Sequence, residues 1–464
     1  MVPVMEPEVL LDPQGDDAYA LRPQLFIELR AALEARDAAT IDRLMEPLHA
    51  ADIADLLEQI ESHERRTLIE IWHGGIDGEI LSEIADTIRE EVLGYLSPEQ
   101  LTQAVRELES DDVVDLVEYL DEESQEAVLD TLSPLDRVAV EKALSWPEES
   151  AGRLMQVEVV RAPQHWTVGE MIDFLRAHPD ELPDQFYHVI LVDPRMKPVG
   201  NVTLGRMMSS RRYVKLWDIR EETFRTIPAS QDEGEVAYAF NQYHLISAPV
   251  VDDDGRLVGV ITIDDAMIVL SEEHEEDILR LAGVGETTVA DKVWPTTKRR
   301  LPWLAVNLAT AILASLVISL FEEAIAGYVA LAVLMPIVAS MGGNAGTQTL
   351  TVAVRAIATK DLTGSNAWRV IRREVLVGLL NGIAFGLVMG VIGVLWFGGP
   401  MLGVVIAVAM VANLLVAGLA GTVVPLALEK AGVDPALASG TFVTTVTDVV
   451  GFFVFLGLGA AILL

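Results

Sequence analysis

The chain has 464 residues, 51% of them hydrophobic, no cysteine and a formal net charge of −37 at pH 7. Without cysteine it can form neither a disulfide nor a thiolate metal site, so any metal must be held by oxygen or imidazole ligands. The negative charge argues against a nucleic-acid partner, which needs a basic face, and the positive mean hydropathy argues against a purely cytosolic protein.

The charge is divided unevenly along the chain. From residue 298 onward there are 9 Lys or Arg against 7 Asp or Glu, a net charge of +2, which leaves 24 against 63, a net charge of −39, for the first 297 residues. An acidic soluble half therefore precedes a nearly neutral apolar half. Residues 1–8 lack the basic stretch and apolar core of a secretory signal, so we expect the soluble half to remain in the cytosol.

Residues 1–150 are predicted to form an acidic, all-α domain of helical repeats. Amphipathic patterns follow one another, and the segment at 52–60 is similar to the segment at 112–120. The Leu-Ser-Pro sequence at 96–98 recurs at 132–134, and Ser-Pro is a helix start signal. These repeats indicate stacked helical hairpins in a superhelix, although a scaffold of any function would share the pattern.

Residues 151–270 are predicted to form an α/β region with an internal repeat. The segment at 199–208 is similar to the segment at 258–267, and each follows a short strand and a turn. Two copies of one β-α-β-β-α unit are therefore expected. Such a pair resembles a tandem of CBS domains, a regulatory module, and the two halves are here called the first and second CBS units.

Residues 271–297 are predicted to form a connecting helix and linker. The segment Ser271–Arg280 is rich in carboxylates, and any single acid in it is more simply explained as part of a solvated face. Considered together with the charge of the whole soluble half, these acids predict self-repulsion that bound divalent cations would relieve.

Residues 298–464 are predicted to form a transmembrane domain of five helices. A run of about 20 uncharged residues is long enough to cross the hydrocarbon layer as a helix, and Gly398-Gly399-Pro400 divides the longest run into two spans. The apolar runs are Leu301–Phe321, Ala324–Val354, Val375–Leu428 and Ala436–Leu464.

Basic residues in the loops predict the orientation in the membrane. The loops on the side of the acidic half hold the Lys and Arg residues, and the loops near Glu322 and Gly399 hold none. We therefore expect a multi-pass protein of the plasma membrane or inner membrane, with a cytosolic N-terminus and an external C-terminus. Because five spans surround a polar pathway poorly, we expect a homodimer with the pathway near its two-fold axis.

Asp448 is the strongest candidate for a functional residue in the membrane half. It is the one charged residue of its apolar run, and an ionisable side chain at membrane depth is a functional-site candidate. Thr441, Thr444 and Gly451 share its helical face by spacing, and this face is predicted to line a hydrated pore. The alternatives are a hydrogen bond from Asp448 to a neighbouring span and ordinary packing of small residues.

The second apolar run contains residues that weaken a helix. Pro336 and the segment Gly342–Gly346, which includes Asn344, predict broken backbone whose free carbonyls face a hydrated cation. The alternative is a close-packed glycine seam formed by Gly342 and Gly346. Asn413 in the fourth span fits either a packing role or a pore role.

A hard divalent cation fits these residue types best. Two copies of Asp448 in a dimer supply two negative charges, and Mg²⁺ usually keeps several of its waters, so a wide site of carboxylate, amide and carbonyl oxygens suits it. The predicted pore ligands are Asp448, Asn344, Thr444 and Gly451. Softer metals prefer imidazole or sulfur, and the chain has no histidine after His274.

The order of these parts and several motifs resemble the MgtE family of Mg²⁺ channels/transporters over nearly the whole chain. The motifs are Gly342–Gln348, Arg355–Leu362, Gly432–Leu437 and Asp448–Gly451. The resemblance implies a homodimer with cytosolic sensing domains, a pore near the two-fold axis and Asp448 as the pore carboxylate. It also implies that the connecting helix plugs the pore when intracellular Mg²⁺ is high.

Regulatory Mg²⁺ is expected at the acidic residues around the connecting helix. The predicted regulatory residues are Asp264, Asp265, Glu273, Glu276 and Asp277. We expect bound Mg²⁺ to favour a closed arrangement and its loss to move the helix and open the pore.

The two CBS units differ at a position that bears on sensing. The first unit has Gly205-Arg206 where the second has Asp264-Asp265, so sensing there should use fewer ions. The resemblance also raises nucleotide binding between the CBS units, which the sequence leaves open.

Three other functions are weaker alternatives. One is a transporter whose main cargo is Co²⁺, Ni²⁺ or Mn²⁺, and another is a membrane-anchored Mg²⁺ sensor that transports nothing. A pure anchor has no use for a carboxylate at membrane depth, which disfavours the sensor. An enzyme is disfavoured because the sequence shows no phosphate-binding loop, nucleophile–base pair or histidine cluster.

Overall fold

The computed structural model describes residues 21–106, 108–118, 120, 122–179, 182–183, 185–284 and 293–464. It divides into two compact units, Met1–Glu273 and His274–Leu464. Residues 1–20 of the predicted helical domain and 285–292 of the predicted linker lie outside the described residues. The predicted domain boundaries at 150, 270 and 297 stay predictions.

The first part of the first unit is all-α, as predicted, and its helices are short because helix-start signals recur along the sequence. Ser133 caps one helix by accepting a hydrogen bond from the amide of Asp136 at 3.3 Å, and Pro134 is its first residue. The helices are α1 Pro23–Ala35, α2 Ala38–Met45, α3 Ala50–Gln59, α4 Ser62–Ile71, α5 Gly78–Glu83, α6 Asp86–Leu93, α7 Pro98–Arg106, α8 Ser110–Glu118, α9 Glu122–Leu129, α10 Pro134–Leu144 and α11 Ala151–Leu154. Both predicted Ser-Pro starts are confirmed.

The rest of the first unit contains the predicted repeat of two β-α-β-β-α units. In each three-stranded sheet the first strand pairs in parallel with the second, and the second pairs antiparallel with the third. The two sheets even share a register irregularity, at Leu191/Val192 and at Val250/Val251. The first CBS unit comprises β1 Arg161–Pro163, α12 Val168–Ala177, β2 His188–Val192, β3 Pro198–Thr203 and α13 Leu204–Ser209, and the second comprises β4 Ile227–Pro228, α14 Glu233–Tyr243, β5 Ser247–Val251, β6 Leu257–Thr262 and α15 Ile263–Leu281.

The second unit contains five helices that are long and apolar enough to cross a membrane, among the described residues. The division predicted at Gly398-Gly399-Pro400 is confirmed, because Gly398 has a φ of +71° and Pro400 begins the next helix. The helices of this unit after α15 are α16 Val293–Ser319, α17 Glu322–Gly327, α18 Ala330–Ala358, α19 Ala367–Phe397, α20 Pro400–Lys430 and α21 Pro435–Leu463.

Three details of the membrane half differ from the sequence prediction. The uncharged run that begins at Ala324 contains the end of the short helix α17 and a separate helix, α18, because a run of apolar residues does not reveal a local break. Helix α19 begins at Ala367, eight residues before the predicted span, and thus includes charged residues at its start. Finally, α18 is continuous through Pro336 and Gly342–Gly346, so the prediction of broken backbone is wrong.

The glycines of α18 serve close packing instead, which was the alternative interpretation. Gly342 and Gly346 are both buried. A Cβ on Gly346 would lie 2.7 Å from Cγ1 of Val443 on α21, and a Cβ on Gly342 would overlap the side-chain amide of Asn413 on α20. The missing side chains therefore let α18 approach both neighbouring helices.

A second glycine stripe joins α19 to α20. The buried glycines at 378, 382, 386 and 390 recur every four residues on one face of α19. A Cβ on Gly386 would lie 2.7 Å from the carbonyl oxygen of Ala407, which is backbone and cannot move aside. Gly393 is less tightly packed, since the nearest atom to a Cβ added there would be 3.5 Å away.

We therefore predict opposite outcomes for two glycine-to-alanine substitutions on the same helix. Gly386→Ala should lower the stability of the solubilised chain by about 1–3 kcal/mol because the added methyl group forces the helices apart. Gly393→Ala should leave stability unchanged or raise it, because alanine favours a helix and has room here. Thermal unfolding in detergent measures both, and equal unfolding temperatures would contradict the packing role of Gly386.

Candidate functional site

Asp448 lies on α21 with no charge partner among the described residues. Asp434 caps this helix by accepting a hydrogen bond from the amide of Ala436 at 2.7 Å, and Pro435 is the first helical residue. The apolar span begins at Gly440, so Asp448 lies about 12 Å along it at 1.5 Å per residue. Its side chain is half-buried, and in the described part of the chain no hydrogen bond or ion pair joins its carboxylate.

The threonines near Asp448 hydrogen-bond within their own helix. The hydroxyl of Thr444 donates to the carbonyl of Gly440 at 3.0 Å and also lies 3.1 Å from the carbonyl of Thr441. The hydroxyl of Thr445 donates to the same Thr441 carbonyl at 2.6 Å. Thr441 also donates to Oδ1 of Asn307 on α16 at 2.9 Å. The hydroxyl hydrogens are thus occupied, and only oxygen lone pairs remain for a cation or its waters.

Helix α18 faces α21 at the level of these threonines. A Cβ on Gly343 would lie 4.0 Å from Cγ2 of Thr444, which places the glycine motif beside the Asp448 face. The next residue, Asn344, is exposed and its amide approaches only Oγ of Ser340 within the described contacts, at 3.4 Å. The structure therefore brings Asn344, Thr444 and Asp448 to neighbouring positions of two adjacent helices.

Gly451, the fourth predicted pore ligand, is buried and lies against Asn413. A Cβ at Gly451 would be 2.7 Å from Nδ2 of Asn413. The side chain of Asn413 is wholly buried and donates to the carbonyl of Val338 on α18 at 2.8 Å. Gly451 is therefore a spacer in the helix packing, and its contact with an ion stays a prediction.

The end of α15 packs beside the start of α21. Arg280 forms ion pairs with Glu276 at 2.6 Å and with Asp434 at 3.3 Å. Burial raises the pKa of Asp277, and the nearby carboxylate of Asp434 raises it further. Leu281 packs against a buried cluster of Leu350, Val354, Ala436 and Val443. The predicted regulatory residues Glu276 and Asp277 thus lie next to the start of α21.

Asp264 and Asp265 lie in an acidic cluster with residues of α8. Burial raises the pKa of Asp265 to about 7, with Asp264 and Asp112 adding repulsion, and Thr262 donates to its carboxylate at 2.6 Å. Burial and Asp115 raise the pKa of Asp112 to about 6. Burial and the carboxylate of Asp265 hold the pKa of Asp111 well above its usual range. Carboxylates that repel one another at low exposure attract a cation.

A separate acidic cluster surrounds the start of α14. Burial and the carboxylates of Glu149 and Glu272 raise the pKa of Glu233 to about 7. A Cβ on Gly234 would lie 2.6 Å from Oε1 of Glu273, so Glu273 lies over this helix end. The five predicted regulatory residues therefore lie in three places. Asp264 and Asp265 lie in one place in the first unit and Glu273 in another. Glu276 and Asp277 lie in the second unit.

These clusters are not preformed chelation sites. Among the described residues, no group of three or more His, Asp or Glu side chains is arranged to hold a metal ion. Mg²⁺ needs only one or two protein carboxylates because it keeps most of its waters. The clusters therefore fit outer-sphere or bridging contacts rather than a dehydrated cage.

Sequence reasoning missed Asp111, Asp112 and Glu233 as members of these clusters. The segment that contains Asp112 was interpreted as a generic repeat, because its carboxylates have helical spacing like any solvated face. The Ser110-Asp111-Asp112 sequence at a helix start was the available signal, but only the tertiary structure brings Asp111 and Asp112 close to Asp265 and Asp264.

The cleft between the CBS units is nearly closed on the side of His188 and Ser247. Nδ1 of His188 and Oγ of Ser247, which occupy equivalent positions of the two units, are 2.6 Å apart. The cavity beside them, lined also by Tyr187 and Thr262, has a volume of about 20 Å³. This volume is too small for a nucleotide, whereas a pocket of about 460 Å³ lined by Arg195, Lys197, Asp254 and Arg256 also lies between the two CBS units. Nucleotide binding stays a prediction.

Comparison with known protein families gives matches to three segments of the chain. Residues 335–458 match MgtE, the divalent cation transporter family, residues 48–149 match the MgtE intracellular N domain, and residues 218–272 match the CBS domain.

Two named relatives extend over almost the whole chain. The magnesium transporter MgtE of Thermus thermophilus is 31% identical over 453 residues, which are 96% of this chain and 99% of the relative. The protein of the same name from Bacillus subtilis is 29% identical over 437 residues, 93% of this chain and 96% of the relative. A solved structure, the cytosolic domain of the Mg²⁺ channel MgtE in complex with ATP, covers 53% of this chain and 99% of its own at 26% identity and a TM-score of 0.48. On the identity and coverage of these sequences, the chain belongs to the MgtE family of magnesium transporters.

Proposed function

We propose that this protein carries Mg²⁺ across the cell membrane and that paired copies of Asp448 attract the hydrated ion. The observation that carries the proposal is the isolated carboxylate of Asp448, half-buried within an apolar span and without a charge partner among the described residues. Such a group is costly in hydrocarbon unless water or a cation accompanies it. A water-filled pathway beside α21 supplies both.

The exposed polar face of α18 supports a homodimer. Asn344, Thr347 and Gln348 are exposed on this membrane-spanning helix, and polar side chains at membrane depth need a protein or water neighbour. A second copy placed against this face would shield these side chains from lipid and bring two Asp448 carboxylates to one pathway. The basic residues of Lys298–Arg300 and Arg369–Arg373, near the starts of α16 and α19, support an orientation with the N-terminus in the cytosol.

The acidic clusters support gating by intracellular Mg²⁺. Mg²⁺ at Asp264, Asp265 and α8 would hold the first unit in one arrangement, because it replaces carboxylate repulsion with attraction. Mg²⁺ near Asp277 and Asp434 would similarly hold the end of α15 against α21. Loss of the ions leaves the carboxylates repelling one another, which favours release of α15 and an open pathway.

Removal of the Asp448 charge should abolish most Mg²⁺ transport. A divalent ion gains on the order of 2 kcal/mol from one carboxylate at ~4 Å even in a water-like dielectric, so Asp448→Asn should reduce Mg²⁺ flux into liposomes by more than about tenfold. Glu323→Gln, which removes an exposed carboxylate in the first turn of α17, should retain the natural flux.

Two results of the liposome assay would reject the transport proposal. Natural flux in Asp448→Asn would exclude this carboxylate as the attracting group. Absence of flux in the natural chain, with Mg²⁺ still stabilising it, would favour the non-transporting sensor. Competition by Co²⁺, Ni²⁺ and Mn²⁺ in the same assay identifies the preferred cargo.

Acid and Mg²⁺ should both stabilise the cytosolic unit, because each relieves the repulsion between its carboxylates. The pKa values of Asp265 and Asp112, about 7 and about 6, exceed the value near 4 of an unfolded aspartate. The folded state therefore binds more protons between about pH 4 and 7, so the unfolding temperature in EDTA should rise as the pH falls from 8 to 5. Millimolar Mg²⁺ should raise the unfolding temperature at pH 8, and it should have a much smaller effect at pH 5.

Matched variants check the assignment to this cluster. Asp265→Asn should raise the unfolding temperature in EDTA at pH 8 and reduce both the pH response and the Mg²⁺ response. Asp253→Asn removes an exposed carboxylate of the same CBS unit and should behave as the natural chain. Equal Mg²⁺ responses in the two variants would place the regulatory ions elsewhere.

A further inference from the structure

Asn413 places a wholly buried amide where three membrane-spanning helices meet. It belongs to α20, and its side chain lies between Gly342 of α18 and Gly451 of α21. Both glycines are buried, and a Cβ on either would collide with the amide group. The two neighbouring helices thus each have a glycine where the side chain of Asn413 enters.

The amide has one hydrogen-bond partner and one unsatisfied atom. Nδ2 donates to the carbonyl of Val338 at 2.8 Å, one turn before Gly342 on α18. Oδ1 is buried and has no hydrogen-bond partner among the described residues. An unsatisfied buried acceptor of this kind is unfavourable, whereas leucine would occupy a similar branched volume without any polar atom. Packing alone therefore does not account for an amide at this position.

The contacts of Asn413 lie within one helical turn of the candidate ion site. Gly342 precedes Asn344 by two residues, and Gly451 follows Asp448 by three residues. The hydrogen bond to Val338 fixes the position of α20 along α18, and the fit against Gly451 fixes how closely α21 approaches. The side chain of Asn413 therefore determines how the helical turns that carry Asp448 and Asn344 lie relative to each other. It contacts neither residue in the described structure.

We propose that Asn413 is a positioning residue that sets the spacing of the ion pathway and, through this spacing, the preference among hydrated divalent cations. This inference rests on the proposed transport function. Its reason is geometric, because a site that holds an ion through its waters selects by the distance between its oxygen ligands. A residue that only filled space would affect stability without affecting this preference.

Flux measurements on two matched variants of α20 test the proposal. Asn413→Leu keeps a branched side chain and removes the amide, and we expect the ratio of Mg²⁺ to Co²⁺ flux into liposomes to change by about threefold or more, because displacements of about 1 Å alter such sites strongly. Thr422→Val also removes a buried polar group from α20, but its hydroxyl donates only to the carbonyl of Gly418 in the same helix, at 3.0 Å. We expect this variant to retain the natural ratio.

A second measurement reports the helix spacing without transport. The chain has no native cysteine, so Gly343→Cys with Thr444→Cys gives a single pair across α18 and α21, at positions 4.0 Å apart by the Cβ and Cγ2 atoms and near disulfide range. We expect the rate of disulfide formation in this pair to fall at least about threefold when Asn413→Leu or Asn413→Ala is added, and to remain unchanged with Thr422→Val.

The outcomes separate the two proposals. A lowered unfolding temperature in Asn413→Leu with an unchanged flux ratio and an unchanged disulfide rate would overturn the positioning role. A natural chain that shows no flux would reject the transport function, and the disulfide rate would then decide the positioning role by itself.

Discussion

The cost of a charge or an unpaired polar group in hydrocarbon governs the membrane half of this protein. Lipid offers no hydrogen bonds, so each polar group must find a partner within the protein, in water or in a bound ion. The threonines of α21 satisfy this requirement by donating hydrogen bonds to carbonyls of their own helix. The amide nitrogen of Asn413 donates to the carbonyl of Val338, whereas its amide oxygen has no partner among the described residues. Asp448 has no partner of this kind among the described residues, which is why the proposed function assigns it a hydrated cation.

Glycine makes the surrounding architecture possible. Without hydrophobic attraction between helices in lipid, close contact depends on small residues. Gly342 and Gly346 bring α18 against α20 and α21, and the stripe that includes Gly386 brings α19 against α20. The helix α18 remains continuous because its glycines are packed on both sides, so their low helix propensity is outweighed by tertiary contacts. Asn344, Thr347 and Gln348 of α18 are left exposed on the remaining face.

The same electrostatic requirement appears in the first unit in a different form. Asp111, Asp112 and Asp265 are crowded and largely shielded from solvent, and this raises the pKa of each carboxyl group. A divalent ion bound there would relieve such crowding. The helix α15 begins within one acidic cluster at Asp264 and ends at Arg280 beside Asp434. One continuous helix thus has carboxylate contacts at both of its ends.

The sequence by itself determined the architecture. Apolar run lengths gave the five spans, the repeated β-α-β-β-α pattern gave the two α/β units, and the isolation of Asp448 in an apolar run marked it as a candidate functional residue, because each of these signals is local in the chain. Only the tertiary structure decided that α18 is unbroken, that Gly451 is covered by Asn413, and that Asp111 and Asp112 join Asp265. Burial and contact between distant segments decide these features, and helical spacing alone is the same for a solvated acid and a buried one.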